Sequence, residues 1–240
     1  MKLVESNFLL ENSKEMLSII NDFYIKSLEE KEISIVLKLK IKHFLEDIKS
    51  SFDYASFYIY KKYCIDHIKA KPEDHERQVC FPVHHTEKRF NSFMMNIFPN
   101  LDKVNPNLIS TMRRVQPFLP DNEKWYEIFN VLVNKNKHRY LTPQSKEEVN
   151  MIRTFDEKGE SKSFFKHGAV SVNNSQYVFI DGMPWDQQKQ LPIPSYNRGY
   201  QSEVWANFIF TELGLSVMPT LELIQLEAEK IISDLETFMQ

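Results

Sequence analysis

Glycine is scarce and unevenly placed. All five (Gly159, Gly168, Gly182, Gly199 and Gly214) lie in the later part of the 240-residue chain. A long stretch without glycine has few sites for left-handed turns or bulges, which favours helices over hairpins. Cysteine is scarcer still: two residues cannot build a disulfide framework, and both are expected to be reduced. No apolar run approaches the roughly 18 residues of a membrane span. Met1-Lys2-Leu3-Val4 is followed at once by Glu5, so no signal peptide is read and a cytoplasmic location is expected. A glycine-rich phosphate loop and a Gly-x-Ser-x-Gly elbow are both missing, which argues against P-loop, Rossmann and α/β-hydrolase chemistry. No cofactor is expected. Charge of one sign is also lacking, with 30 Lys+Arg against 33 Asp+Glu. Any nucleic-acid contact would therefore be a local patch.

Hydrophobic residues make up 42% and aromatic residues 13%, enough to bury a core and to exclude wholesale disorder. Residues 1–150 carry a net +2 and the remainder a net -5. The clearest element is a helix over about Lys31–Ile68, where Leu37, Ile41, Leu45, Ile48, Phe52, Ala55 and Ile59 recur at steps of four and three. An earlier helix is expected near Ser13–Leu28, with Ser13 as its cap and Met16, Ile19, Ile20 and Phe23 on one face. Prolines 72, 82, 99 and 106 keep the next helices short, near Phe90–Phe98 and Asn107–Val115. Asn122–Tyr140 reads as a helix with Asn122 as cap and Trp125, Ile128, Phe129 and Leu132 at helical spacing. Beyond it the period changes. Asn173-Asn174-Ser175 signals a hairpin, Val204, Ala206, Phe208 and Phe210 alternate as in a strand, and Met183–Tyr196 reads as a loop. A closing helix from about Thr220 carries Leu221, Ile224, Ala228, Ile231, Leu235 and Phe238. The expected fold is α+β: a helical bundle over 1–147, then over 148–240 a small antiparallel sheet and a C-terminal helix packed on the bundle.

The most unusual local sequence is Asn134-Lys135-Asn136-Lys137-His138-Arg139. Asn134 and His138 share a face if the helix continues. Histidine moves a proton near neutral pH, and an adjacent arginine holds phosphate, a pairing suited to phosphodiester chemistry. Cations also gather at helix C-termini simply to meet the dipole. Asp53 is a candidate to orient His138 or to pair with Arg139, or equally to form an ion pair between helices. Cys64, His67, Cys80 and His84 have spacing compatible with a tetrahedral zinc site, while Cys64 also continues the helix stripe as a buried residue would. Tyr54, Tyr58, Tyr60 and Tyr63 flank Lys61 and Lys62, a pattern that suits base stacking or half-buried packing.

Residues of about Ile48–Pro143 resemble a group of bacterial proteins related to the HEPN (higher eukaryotes and prokaryotes nucleotide-binding) helical domains. Four pieces carry the resemblance in order: Ile48-Lys49-Ser50-Ser51-Phe52-Asp53-Tyr54, Phe81-Pro82-Val83, Gln116-Pro117-Phe118, and Asn134 with Lys137-His138-Arg139-Tyr140-Leu141. The resemblance implies a HEPN-like bundle, commonly a homodimer, acting on RNA in stress or phage defence. In catalytic members an arginine and a following histidine cleave RNA without a metal. It would make His138 the general acid/base, with Asn134 and Asp53 positioning it and Arg139 holding phosphate. Lys137, Lys135, Arg113, Arg114 and Lys49 would contact RNA. Val133 stands where such members carry arginine, and Lys49 and Tyr54 stand where relatives carry Arg and His. The alternative is a non-catalytic interaction module, such as a subunit, antitoxin or regulator, whose partner is a protein rather than RNA.

Overall fold

A computed structural model describes residues 3–30, 32–68, 71–120, 124–138, 141, 143–166, 179–186, 188–189, 191–194 and 198–239, with the backbone alone at 72, 135–138, 149, 164, 166 and 203–206. The fold is α+β and mainly helical. The helices are α1 (Val4–Glu30), α2 (Ile35–Tyr63), α3 (Pro72–Glu76), α4 (Glu87–Ile97), α5 (Leu101–Val104), α6 (Pro106–Arg114), α7 (Trp125–His138) and α8 (Val217–Phe238). The strands are β1 (Gln144–Phe155), β2 (Ser161–Lys166), β3 (Phe179–Ile180), β4 (Met183–Asp186), β5 (Leu191–Pro192), β6 (Gly199–Phe210) and β7 (Leu215–Ser216). Two compact units result, one of Met1–Gln144 with Phe210–Gln240 and one of Ser145–Ile209. The closing helix α8 thus belongs to the bundle, whereas the boundary read at residue 147 grouped it with the sheet. No helix among the described residues is long and apolar enough to cross a membrane.

The bundle is organised around α2. Its start is fixed by Ser34, whose hydroxyl accepts the Leu37 N–H at 3.1 Å. The whole expected stripe, Leu37 to Ile59, is sealed from solvent, as are Phe44 and Tyr60 beside it. Against it packs α1, which begins nine residues earlier than expected. Ser13 is therefore no cap: it lies buried within α1, its Oγ 2.7 Å from both Leu10 O and Gln225 Oε1. Of the face expected to be buried, Ile20 is sealed but Ile19 is 39% exposed, and Ile20 is joined there by Ser6, Leu10, Ser13, Tyr24 and Ser27. Serines suit the contact because they are small and can satisfy backbone locally; Ser51 Oγ on α2 donates to Ser6 O on α1 at 2.9 Å.

Side chains from elsewhere in the bundle satisfy the ends of α1 and α8. Glu236 Oε1 accepts from Leu3 N–H at 2.5 Å and Asn7 Nδ2 at 2.6 Å, which places a carboxylate at the positive end of the α1 dipole. At the far end of α8, Lys62 Nζ donates to Met239 O and Asn105 Nδ2 to Phe238 O, both at 2.6 Å. Along α8, Leu221, Ile224, Ala228, Ile231 and Leu235 are buried as their spacing requires. Gln225 Nε2, also buried, reaches across to Leu10 O at 3.1 Å.

In the second unit β1 lies between β2 and β6. β1 and β2 pair antiparallel with Ile152 opposite Phe165, and Asp156 Oδ1 accepts Lys158 N–H and Glu160 N–H in the turn between them. A separate antiparallel sheet runs β3-β4-β5, with β4 and β5 inside the stretch Met183–Tyr196 expected to be a loop. Its first turn is Asp181-Gly182, both with positive φ (49° and 76°), the hairpin conformation that Asp-Gly favours. Arg198 crosses this turn, donating to Asp181 O at 3.1 Å and to Glu157 Oε1 at 3.0 Å. The hairpin expected around Asn173-Asn174-Ser175 and the Asn122 cap lie outside the described residues. In β6 the expected alternation holds where side chains are described, with Phe208 and Phe210 buried.

Gly182 has two reasons to lack a side chain: its φ of 76°, and the Arg198 guanidinium, which a Cβ would meet at 1.7 Å. Gly159 shares the positive φ (79°) but has open space around it. Gly182→Ala is expected to cost about 1–2 kcal/mol from backbone strain, with a further loss as Arg198 is displaced. Gly159→Ala should incur only the backbone part, and denaturant melts of the two variants side by side check the difference.

Candidate functional site

Residues of the first three motif pieces, around Asp53, Phe81 and Gln116, meet in one joint. Residues 79–84 belong to no helix or strand and contain Pro82, which has no N–H to give, so their backbone groups need partners from other elements. From α2, Asp53 Oδ1 accepts the Phe81 N–H at 3.0 Å. At the end of α6, Gln116, fully buried, accepts the His84 N–H on Oε1 and donates through Nε2 to Pro82 O and Met112 O, each at 2.9 Å. Between these two pins the Phe81 ring packs on Phe52 (4.8 Å between centroids) and Tyr126 (5.4 Å). Trp125 and Phe129 complete the group around Phe52. The joint therefore fastens α2, the segment of residues 79–84, α6 and the start of α7.

Electrostatics within the joint follow from burial. Tyr126 is completely buried, and desolvation, with the Asp53 charge adding to it, holds its phenol far above the usual range. Lys49, only 16% exposed at its side chain, pairs with the same Asp53 Oδ1 at 2.5 Å. Asp53 thus acts at the Tyr126 end of α7. That helix rises ~1.5 Å per residue, which puts its backbone at His138 about 18 Å further along the axis. His84 lies against Phe93 with its Nε2 buried and without a hydrogen-bond partner. Burial first, then the cations of Arg89 and His85, lower its pKa below the ordinary 6.5.

The other expected contacts are placed as follows. Asn134 is exposed. The side chains of Lys135, Lys137 and His138, and Arg139 as a whole, lie outside the described residues. Val133, at the position where the resemblance would look for an arginine, is 1% exposed and part of the core. Arg113 pairs with Glu87 and Arg114 with Asp234, both at half-exposed positions. Two lysines of the tyrosine-rich stretch are engaged too: Lys61 pairs with Glu76, and Lys62 lies over the Tyr63 ring while donating to Met239 O. Tyr60, read as a base-stacking candidate, is sealed and stacks on His75 at 5.3 Å.

The zinc spacing does not become a cluster. Cys64 is buried at the end of α2, with burial pushing its thiol up to about 12. His67 Nε2 is engaged with Asn100 Nδ2 at 3.0 Å, and His84 belongs to the joint. Among the described residues no group of three or more His, Cys, Asp or Glu is arranged to hold a metal ion. Sequence reasoning missed the roles of Tyr126 and His84; the available signal was that Tyr126 follows Trp125 on the apolar start of its helix and His84 directly follows Phe81-Pro82-Val83.

Two measurements test this joint. Gln116→Ala is expected to cost about 2–4 kcal/mol, because it strands a buried carbonyl and an N–H. Gln116→Met keeps the volume and should lose nearly as much in a urea melt; a near-neutral Gln116→Met would show that packing alone matters there. For His84 the lowered folded pKa means the unfolded chain takes up its proton first. Stability should be complete above about pH 6.5 and fall as the pH drops through that value toward the folded pKa. Melts of the wild type and His84→Gln between about pH 7.5 and 5 should show the smaller loss in the variant.

Comparison with protein-family models, curated proteins and solved structures finds no match to this chain.

Proposed function

We propose that this chain is a HEPN-like, non-catalytic interaction module whose partner is a protein, either another chain or a second copy in a homodimer. One observation carries this reading: Asp53 of the first motif piece and Gln116 of the third both hydrogen-bond the Phe81–His84 backbone. Val133 supports it, since a buried valine supplies no cation for phosphate. The pairing of Lys49, Arg113 and Arg114 with acids supports it as well, because each contact with phosphate would first have to break an ion pair.

A second reading rests on a different observation. Asn134 is exposed on the last turns of α7, and it opens the block that runs through Lys135, Lys137, His138 and Arg139. On this reading the block binds RNA, and His138 with Arg139 cleaves it without a metal: the substrate's own 2′-hydroxyl loses its proton and attacks the phosphorus, the P–O5′ bond breaks, the departing 5′-oxygen takes up a proton, and a 2′,3′-cyclic phosphate and a 5′-hydroxyl end remain.

Purified protein incubated with mixed RNA and a chelator is expected to leave the RNA intact, and His138→Ala should behave as the wild type does. Sedimentation and native mass spectrometry of the same sample should reveal a dimer or a co-purified protein. Cleavage that yields cyclic phosphate ends and is lost in His138→Ala would overturn the proposal and establish the second reading.

A further inference from the structure

We draw no further inference here: the strongest candidate, an apolar crevice of about 330 Å³ between the first turns of α7 and α8 lined by Trp125, Ile128, Leu215, Pro219, Leu223 and Ile224, is an unpartnered face, and nothing in the structure shows what covers it.

Discussion

A segment packed against a helical bundle but belonging to no helix or strand has no ladder to bond to, so side chains must satisfy its backbone. Here that requirement falls on two of them. Gln116 meets the segment from the end of α6 with a donor and an acceptor at once, and Asp53 meets it from α2 with a carboxylate oxygen. A buried amide with every bond made costs little to keep and much to remove, because each partner left behind is an unpaired polar group in a dry interior. The Phe52, Phe81, Tyr126 and Phe129 rings close over the pinned segment, and their packing fixes where α7 starts. Polar pins set the path of the chain and the aromatic rings supply the burial.

Fixing α7 in this way has consequences for chemistry. The inward face of that helix is occupied by Trp125, Tyr126, Phe129, Leu132 and Val133, all core residues. Val133 is sealed with them, so a cation at that position would be buried and costly unless paired. Asp53 is held at the opposite end of the helix from His138. Its carboxylate charge is compensated by Lys49 one turn away, which is the arrangement of a structural ion pair. In this chain Asp53 and Gln116 hold the Phe81–His84 segment and the helices on either side of it together.

Legibility in the sequence tracked how local the determining physics was. The α2 stripe was readable because seven residues at alternating steps of four and three have one solution, and all seven are buried. The α8 stripe was readable for the same reason, except Phe238, which on the last turn is 39% exposed. Ser13 misled because a serine before an apolar run resembles a cap, while its hydroxyl is matched to Gln225, 212 residues later. β1 escaped notice because its polar start, Gln144-Ser145-Lys146-Glu147-Glu148, lacks the apolar alternation that marks a half-buried strand. The Asp181-Gly182 hairpin carried a local signal that the neighbouring prolines obscured.

The sequence by itself determined the helical character of the first 140 or so residues, the buried faces of α2 and α8, and the set of polar residues available to a site. These follow from periodicity, proline placement and the scarcity of glycine, all properties of neighbours along the chain. Only the tertiary structure decided what those polar residues do. Whether Asp53 faces a histidine or a backbone N–H, whether Gln116 is exposed or sealed, and whether Cys64, His67, Cys80 and His84 converge all depend on which helices pack together. Packing is set by the sum of many weak long-range contacts, and no short window of sequence contains that sum.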